Sequence, residues 1–422
     1  MKNLKWLRSF RHYNRNIKLL FLVNILTQIG LGIFMIVYNF YIRELGYAET
    51  VNGSMIAMAS LAAAIILIPA GILSDKLGRR KMMIYGVVFT GVFMLLRSTL
   101  ELHSLLLISS FISGISMAFL QVTAVPWLAE NSTQSQRVKL FSYHFAVMMG
   151  ANVIGNLLGG TLTDAFLYLV GLSPVWSVRL TLIIGSFIFV LGVFPLLKTV
   201  ETPRKKEKET FSLKGLFRAM PSGQLKLIII FGVAQILIGF GSGLVIPYLN
   251  LYFADRFHIS NSSIGIVLSL GQAVTAVAMI VGPAVVRRVG EVRAVVILQL
   301  LSLPFMFITA FTHSFWLAAL GFLFRQALMN AANPIISSMM MEKVDDSLKG
   351  FANSISQMVF SLGWASMGPV SMSIVLLYGE YWGYGIVFSL TAVLYLTSSV
   401  YFYFAFREKS TTSYQKSIAE SS

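Results

Sequence analysis

The stretch Gly71-Ile-Leu-Ser-Asp75-Lys-Leu-Gly78-Arg79-Arg80-Lys81 decides how this chain is read. It sets four bases, one acid and two glycines between long apolar runs at 52–73 and 82–100. Gly71 lets a helix approach closely, and Gly78 permits a backbone angle closed to other residues. Asp75 supplies a carboxylate that can accept from an arginine or cap a neighbouring helix N-terminus. A tight basic turn between two such runs joins a pair of membrane helices on one face of the bilayer.

Working outward, the composition agrees. Of 422 residues, 56% are hydrophobic and 12% charged, with a mean hydropathy of +0.75. That balance excludes an ordinary soluble enzyme, a coiled coil and a disordered chain. At roughly 20 apolar residues per span, the apolar content supplies about twelve spans. Twelve runs are found. They lie at 17–42, 52–73, 82–100, 104–128, 140–162, 176–197, 225–253, 264–286, 293–312, 315–338, 350–377 and 383–406.

Placing the bases on alternate sides of these runs puts 28 of the 33 Lys and Arg on one side. Only Arg43 and Arg256 fall opposite, while Arg97, Arg179 and Arg325 lie within spans. The expectation is a multi-pass plasma-membrane protein with both termini cytoplasmic. The net charge of +16 then points to anionic lipid rather than nucleic acid. The absence of cysteine removes disulfides, thiolate metal sites and cysteine nucleophiles. No phosphate loop or closely spaced zinc motif occurs, so neither a cofactor nor a metal is expected.

The two halves repeat. Gly30, Gly32, Asn39 and Tyr41 fall on Gly241, Gly243, Asn250 and Tyr252 at an offset of 211. Gly53 and Gly78 fall on Gly265 and Gly290 at 212, Pro126 on Pro334 at 208, and Phe141 on Phe351 at 210. Six spans being even, the copies insert in the same orientation. The expected organisation is therefore a six-helix bundle over 1–197, a cytoplasmic linker over 198–224 and a second bundle over 225–422. In the linker, Leu213, Leu216, Phe217 and Met220 recur at helical spacing and Pro221 ends the pattern. A short interfacial helix and a solvated tether both fit it.

The 71–81 stretch resembles the loop 2–3 signature of the major facilitator superfamily, G-x-L-x-D-(R/K)-x-G-R-(R/K)-(R/K), at nearly every position. A degenerate copy runs from Pro283 to Arg293, with Arg287 in place of the acid. With twelve spans, the repeat and the long basic linker, the resemblance covers essentially the whole chain. It implies an all-α membrane fold of two pseudo-symmetric six-helix bundles, transport by alternating access, and a latch role for Gly71, Asp75, Gly78, Arg79 and Arg80. Span 5 is similar to the family's antiporter signature through Gly155, Gly159 and Gly160, but Asn156 stands where that signature has proline. Ser110 replaces a signature arginine in span 4. Both departures argue against a direct reading as a drug/proton antiporter, and close helix packing is the expected role of the three glycines.

Arg325 lies ten residues into span 10, roughly 15 Å deep at 1.5 Å per residue. Ionisable groups at that depth are expensive and mark function unless a structural partner holds them. The resemblance makes spans 1, 4, 7 and 10 cavity-lining. They carry Asn24, Gln28, Asn39, Gln121, Gln235, Tyr248, Asn250, Asn330 and Asn333, a polar and uncharged set apart from Arg325. Arg97 and Arg179, near outer span ends, can snorkel or pair with Glu101 or Asp164. All seventeen acids fall in loops or at span ends. His144 is the one titrating candidate within a span, and a hydrogen-bonded structural role suits a lone histidine.

The expectation is a secondary active or facilitative transporter for a small organic solute, neutral polar or anionic, acting as a monomer. A coupling proton or ion is an open partner. A multidrug exporter is the alternative within the class. A membrane-embedded enzyme or a non-transporting scaffold is the alternative outside it, but no clustered nucleophile, base or metal site favours an enzyme.

Overall fold

The computed structural model describes residues 13–132, 134–201, 221–345 and 348–419. The linker's charge run and its amphipathic stretch lie outside the described residues. So do Lys2, Lys5, Arg8, Arg11 and the side chain of Asp75.

Among the described residues the chain is helical throughout, with no strand. The first six long helices are α1 (Arg15–Glu44), α2 (Glu49–Leu77), α3 (Arg79–Thr99), α4 (His103–Glu130), α5 (Gln134–Asp164) and α6 (Pro174–Leu191). They are followed by α7 (Ser222–Val245), α8 (Asn261–Val289), α9 (Glu291–Phe311) and α10 (Phe315–Lys343). The helical stretch Lys349–Ala419 breaks at Gly379, whose φ of 74° and ψ of 177° are not helical. It is therefore two helices, α11 (349–378) and α12 (380–419). Each half thus has six long helices among the described residues. Among the described residues, eleven helical stretches are long and apolar enough to cross a membrane, the last of them, Phe351–Phe406, containing this break.

Two compact units result. One holds described residues 13–201 together with Ile259–Ser269, and the other holds 221–258 and 270–419. In the first unit, α1 is buried on nearly every side, as an apolar helix at the centre of a bundle must be. Its start is capped by Asn14, whose side chain accepts from the Asn16 N–H at 3.3 Å.

The repeat is visible in packing. A Cβ added at Gly30 would stand 2.5 Å from the Gly185 carbonyl oxygen of α6, and one at Gly32 2.8 Å from the Asn152 oxygen of α5. In the second unit, a Cβ at Gly241 would stand 2.6 Å from the Tyr395 ring of α12. One at Gly243 would stand 2.8 Å from the Trp364 Cα of α11. Equivalent glycines of α1 and α7 thus let equivalent helices approach closely, to backbone at Gly30, Gly32 and Gly243 and to the Tyr395 ring at Gly241. The Tyr41 hydroxyl donates to the Leu100 carbonyl at the end of α3 at 3.0 Å, and the Tyr252 hydroxyl donates to the Thr309 carbonyl of α9. Gly78 and Gly290, at φ of 98° and 81°, make the equivalent turns before α3 and α9. Only glycine adopts these angles freely.

Candidate functional site

The second unit holds the deepest charge. Arg325 on α10 is 2% exposed, and its Nη1 donates to Gln326 Oε1 at 3.1 Å. Nη2 donates to the Tyr395 hydroxyl on α12 at 3.2 Å, and the guanidinium carbon sits 5.6 Å from that ring's centre. Tyr395 Oη in turn lies 3.0 Å from Ser242 Oγ on α7. Because the tyrosine oxygen already accepts from Arg325, its own O–H is the natural donor to Ser242. One cation thereby ties three helices together through neutral groups. The Nε–H is sealed from solvent and has no acceptor.

A polar track leaves this centre along α10. Asn330 donates to the Gln326 carbonyl at 2.9 Å, and Asn333 donates to Asn330 Oδ1 at 3.2 Å. The steps of three and four residues keep these groups on one face. Arg325 is buried, Asn330 half-buried and Asn333 exposed, so the track runs from the unit's interior to its surface. On the side of α7, Gln235 is half-buried. Tyr248 and Asn250 are buried beside a tight turn at Ile246–Tyr248, where Pro247 interrupts the helix before Leu249–Phe257. The sequence reading carried span 7 straight through this point. Proline, lacking an N–H, breaks it.

In the first unit the expected site residues divide. The Asn24 side chain on α1 lies 2.8 Å from His144 Nδ1 on α5, both buried, with Phe21 and Phe145 edge-on to the imidazole. Asn24 and His144 therefore bridge two helices. Asn39 accepts from the Asn52 side chain through its backbone carbonyl, at 3.2 Å. Gln28 is half-buried and Gln121 on α4 is exposed.

The loop 2–3 residues are anchored within the first unit. Arg79 Nε donates to Glu130 Oε1 at 2.8 Å. The Arg80 N–H donates to Glu201 Oε2 at 3.1 Å, and its guanidinium donates to the carbonyls of Leu196 at 3.4 Å and Leu197 at 2.7 Å. Glu201 thus places a carboxylate at the N-terminus of α3, where the helix dipole favours it. Among the described residues, nothing lies within 4 Å of where a Cβ on Gly71 would stand.

The span 5 glycines are crowded. A Cβ at Gly155 would stand 2.4 Å from the Ile29 oxygen, one at Gly159 2.5 Å from Ile36 Cγ2, and one at Gly160 2.3 Å from the Asn261 oxygen. Beside them, Asp164 accepts from the Ser262 N–H at 2.8 Å and from the Asn261 side chain at 3.0 Å, capping α8. Arg179 pairs with Glu101 at 2.5 Å and also donates to the Tyr41 hydroxyl. Among the described residues Arg97 pairs with neither acid; Glu101 pairs with Arg179 and Asp164 accepts at the start of α8.

Sequence reasoning missed Tyr395, Ser242 and Gln326 as partners of Arg325. The one available signal was a requirement: with no acid at its depth, Arg325 needed neutral acceptors from neighbouring helices.

These features define a polytopic helical membrane protein built from two related six-helix units. The chain belongs to the Major Facilitator Superfamily, whose family model matches residues 20–233 and again 231–421. Among curated proteins, it is 22% identical over 258 residues to the quinolone resistance protein NorA of Staphylococcus aureus, a match covering 61% of this chain and 63% of NorA. It is 24% identical over 345 residues to multidrug resistance protein 1 of Bacillus subtilis, covering 81% of this chain and 85% of the relative. Its fold superposes with a TM-score of 0.76, at 16% identity, on a bacterial homologue of the human lysosomal transporter Spinster. That alignment covers 93% of this chain and 96% of the other.

Proposed function

We propose that this protein is a secondary transporter that moves a small organic solute, neutral and polar or anionic, by alternating access of its two halves. Membership of the superfamily supports the transporter class, and one observation carries the solute class. Arg325 is a buried cation whose bonded partners are all neutral, and it stands at the inner end of a polar track. An uncompensated guanidinium offers its donors to carboxylate or phosphate and repels cations. The solute site is assigned to Arg325, Asn330, Asn333 and Gln235, with Tyr248 and Asn250 at the break beyond α7. Asn24, Gln28, Asn39 and Gln121 are its counterparts in the first half.

The chain is read as a plasma-membrane carrier, not an enzyme. Its termini are cytoplasmic, its bundles span 1–197 and 225–422, and it works as a monomer among anionic lipids. Coupling to a proton or ion is compatible with this reading. The loop 2–3 residues act as a latch, so Asp75→Asn is expected to slow transport while leaving the melting temperature near wild type.

Multidrug export is the second reading, favoured by the likeness to NorA and multidrug resistance protein 1. One experiment separates the two. Purified protein is melted against panels of organic anions, neutral metabolites and lipophilic cations, since a ligand of the folded state raises the melting temperature. The wild type is expected to respond to an anion or polar solute. Arg325→Lys, which keeps charge but loses the planar fork, should weaken that response at least tenfold, and Arg325→Met should abolish it. An undiminished response in Arg325→Met overturns the anion assignment. Stabilisation by lipophilic cations alone, retained in that variant, establishes the multidrug reading instead.

A further inference from the structure

Arg97, in the last turn of α3, is 8% exposed and faces α1. It has no hydrogen bond and no ion pair among the described residues. The two acids within its reach by sequence are engaged, Glu101 by Arg179 and Asp164 by the start of α8. What holds it is aromatic. Its guanidinium carbon lies 4.1 Å from the centre of the Tyr38 ring and 5.0 Å from that of Phe34. Those rings are themselves stacked, 4.8 Å apart and 16° from parallel.

A ring face attracts a guanidinium electrostatically but accepts none of its in-plane hydrogens. Among the described residues, no oxygen or nitrogen acceptor meets any of the five donors of Arg97. The Nε–H is sealed from solvent, as is the Tyr38 hydroxyl, and neither has a partner. The two amino groups of Arg97 are not sealed in this way, so they are the atoms a visitor meets first. Arg97 stands two residues from the end of α3, about 3 Å along the axis, so the site lies near a membrane surface.

We propose that Arg97, cradled by Phe34 and Tyr38, is a binding site for an oxyanion, a carboxylate or phosphate that takes the guanidinium fork bidentately. A buried, preoriented and unpaired fork is the arrangement such a group recognises. Two sources carry this chemistry, a free solute reaching the end of α3 and the phosphate of a lipid headgroup. The site is separate from Arg325 and belongs wholly to the first unit, so it stands whether or not Arg325 binds solute.

The full-length protein in neutral detergent tests it by melting temperature at constant ionic strength. The soluble probes are inorganic phosphate and benzoate, and the lipid probe is phosphatidylglycerol against phosphatidylcholine. The expected result is a concentration-dependent rise with at least one of the anionic probes. In an Arg325→Met background that rise should be lost on adding Arg97→Gln and shifted at least tenfold to higher concentration on adding Arg97→Lys. Tyr38→Phe, which keeps the ring and removes the hydroxyl, should retain most of it.

A response confined to phosphatidylglycerol assigns the site to lipid, and one to phosphate or benzoate assigns it to a free solute. Arg325→Met removes the other proposed anion site, so the rise that remains in that variant is the one assigned to Arg97. If no anionic probe shifts Arg325→Met, or if the rise in Arg325→Met survives the addition of Arg97→Gln, the proposal is overturned. A response that survives in Arg97→Gln but vanishes in Arg325→Met leaves the solute assignment standing and removes this one.

Discussion

At the scale of single residues, the behaviour of Arg325 turns on what an arginine without a carboxylate costs in a membrane. Insertion scales put an unpaired arginine at a helix centre at about 2.5–3.5 kcal/mol. Part of that cost is offset by the Tyr395 hydroxyl and the Gln326 amide. Interhelical hydrogen bonds in membranes are individually modest, averaging about 0.6 kcal/mol with a maximum near 1.7. Tyr395→Phe should therefore lower stability by roughly 0.5–2 kcal/mol. In a double-mutant cycle with Arg325→Met the two losses should not add, because the second substitution finds the bond already gone. Additive losses in reversible unfolding would show that the hydroxyl serves Ser242 alone. The depth of Arg325 was legible in the sequence, since it needs only a count along the span. Its partner was not, because Tyr395 lies 70 residues away and their meeting depends on how two helices are rotated. Likewise the acids that Arg97 could reach were visible, but their prior engagement was a matter of geometry.

At the scale of helices, small residues at close crossings control stability more than the amides do. Gly155 and Gly150 occupy the same helix and differ in surroundings. A Cβ at the first would press on the Ile29 carbonyl, whereas nothing stands within 4 Å of one at the second. Gly155→Ala should lower the melting temperature, with a cost of roughly 1–3 kcal/mol for overpacking. Gly150→Ala should be neutral or slightly stabilising, because alanine is the better helix former. Equal effects would mean that α1 and α5 separate easily. Asp164→Ala should cost about 1 kcal/mol by removing the side-chain acceptor at the start of α8, and Asp164→Asn less, since asparagine also caps. The repeat offset disclosed which glycines are equivalent, and their packing on equivalent helices follows from it. The break at Pro247 was harder to see, because an apolar run continues across it and hydropathy does not register a lost N–H.

At the scale of the whole molecule, the spans were readable because hydrocarbon demands about 20 apolar residues per helix and tolerates few charges. The proposed solute site was much less readable, since the amides assigned to it serve equally as helix bridges, as Asn24 does with His144. Orientation rests on the asymmetry of bases, 28 of 33 on one side. Lysines and arginines near span ends resist translocation, so each polar turn votes, and a miscount of one span would scatter the votes across both sides. The proposed topology therefore makes one sharp demand on a position outside the described residues. The chain contains no cysteine, so Lys208→Cys introduces a single thiol with no background to subtract. An impermeant maleimide applied to intact cells should leave it unlabelled, and the same reagent should label it after permeabilisation. A cysteine placed at Arg256, on the opposite side, should show the reverse accessibility. Labelling of position 208 from outside would invert the protein and with it the cytoplasmic placement of the 71–81 loop.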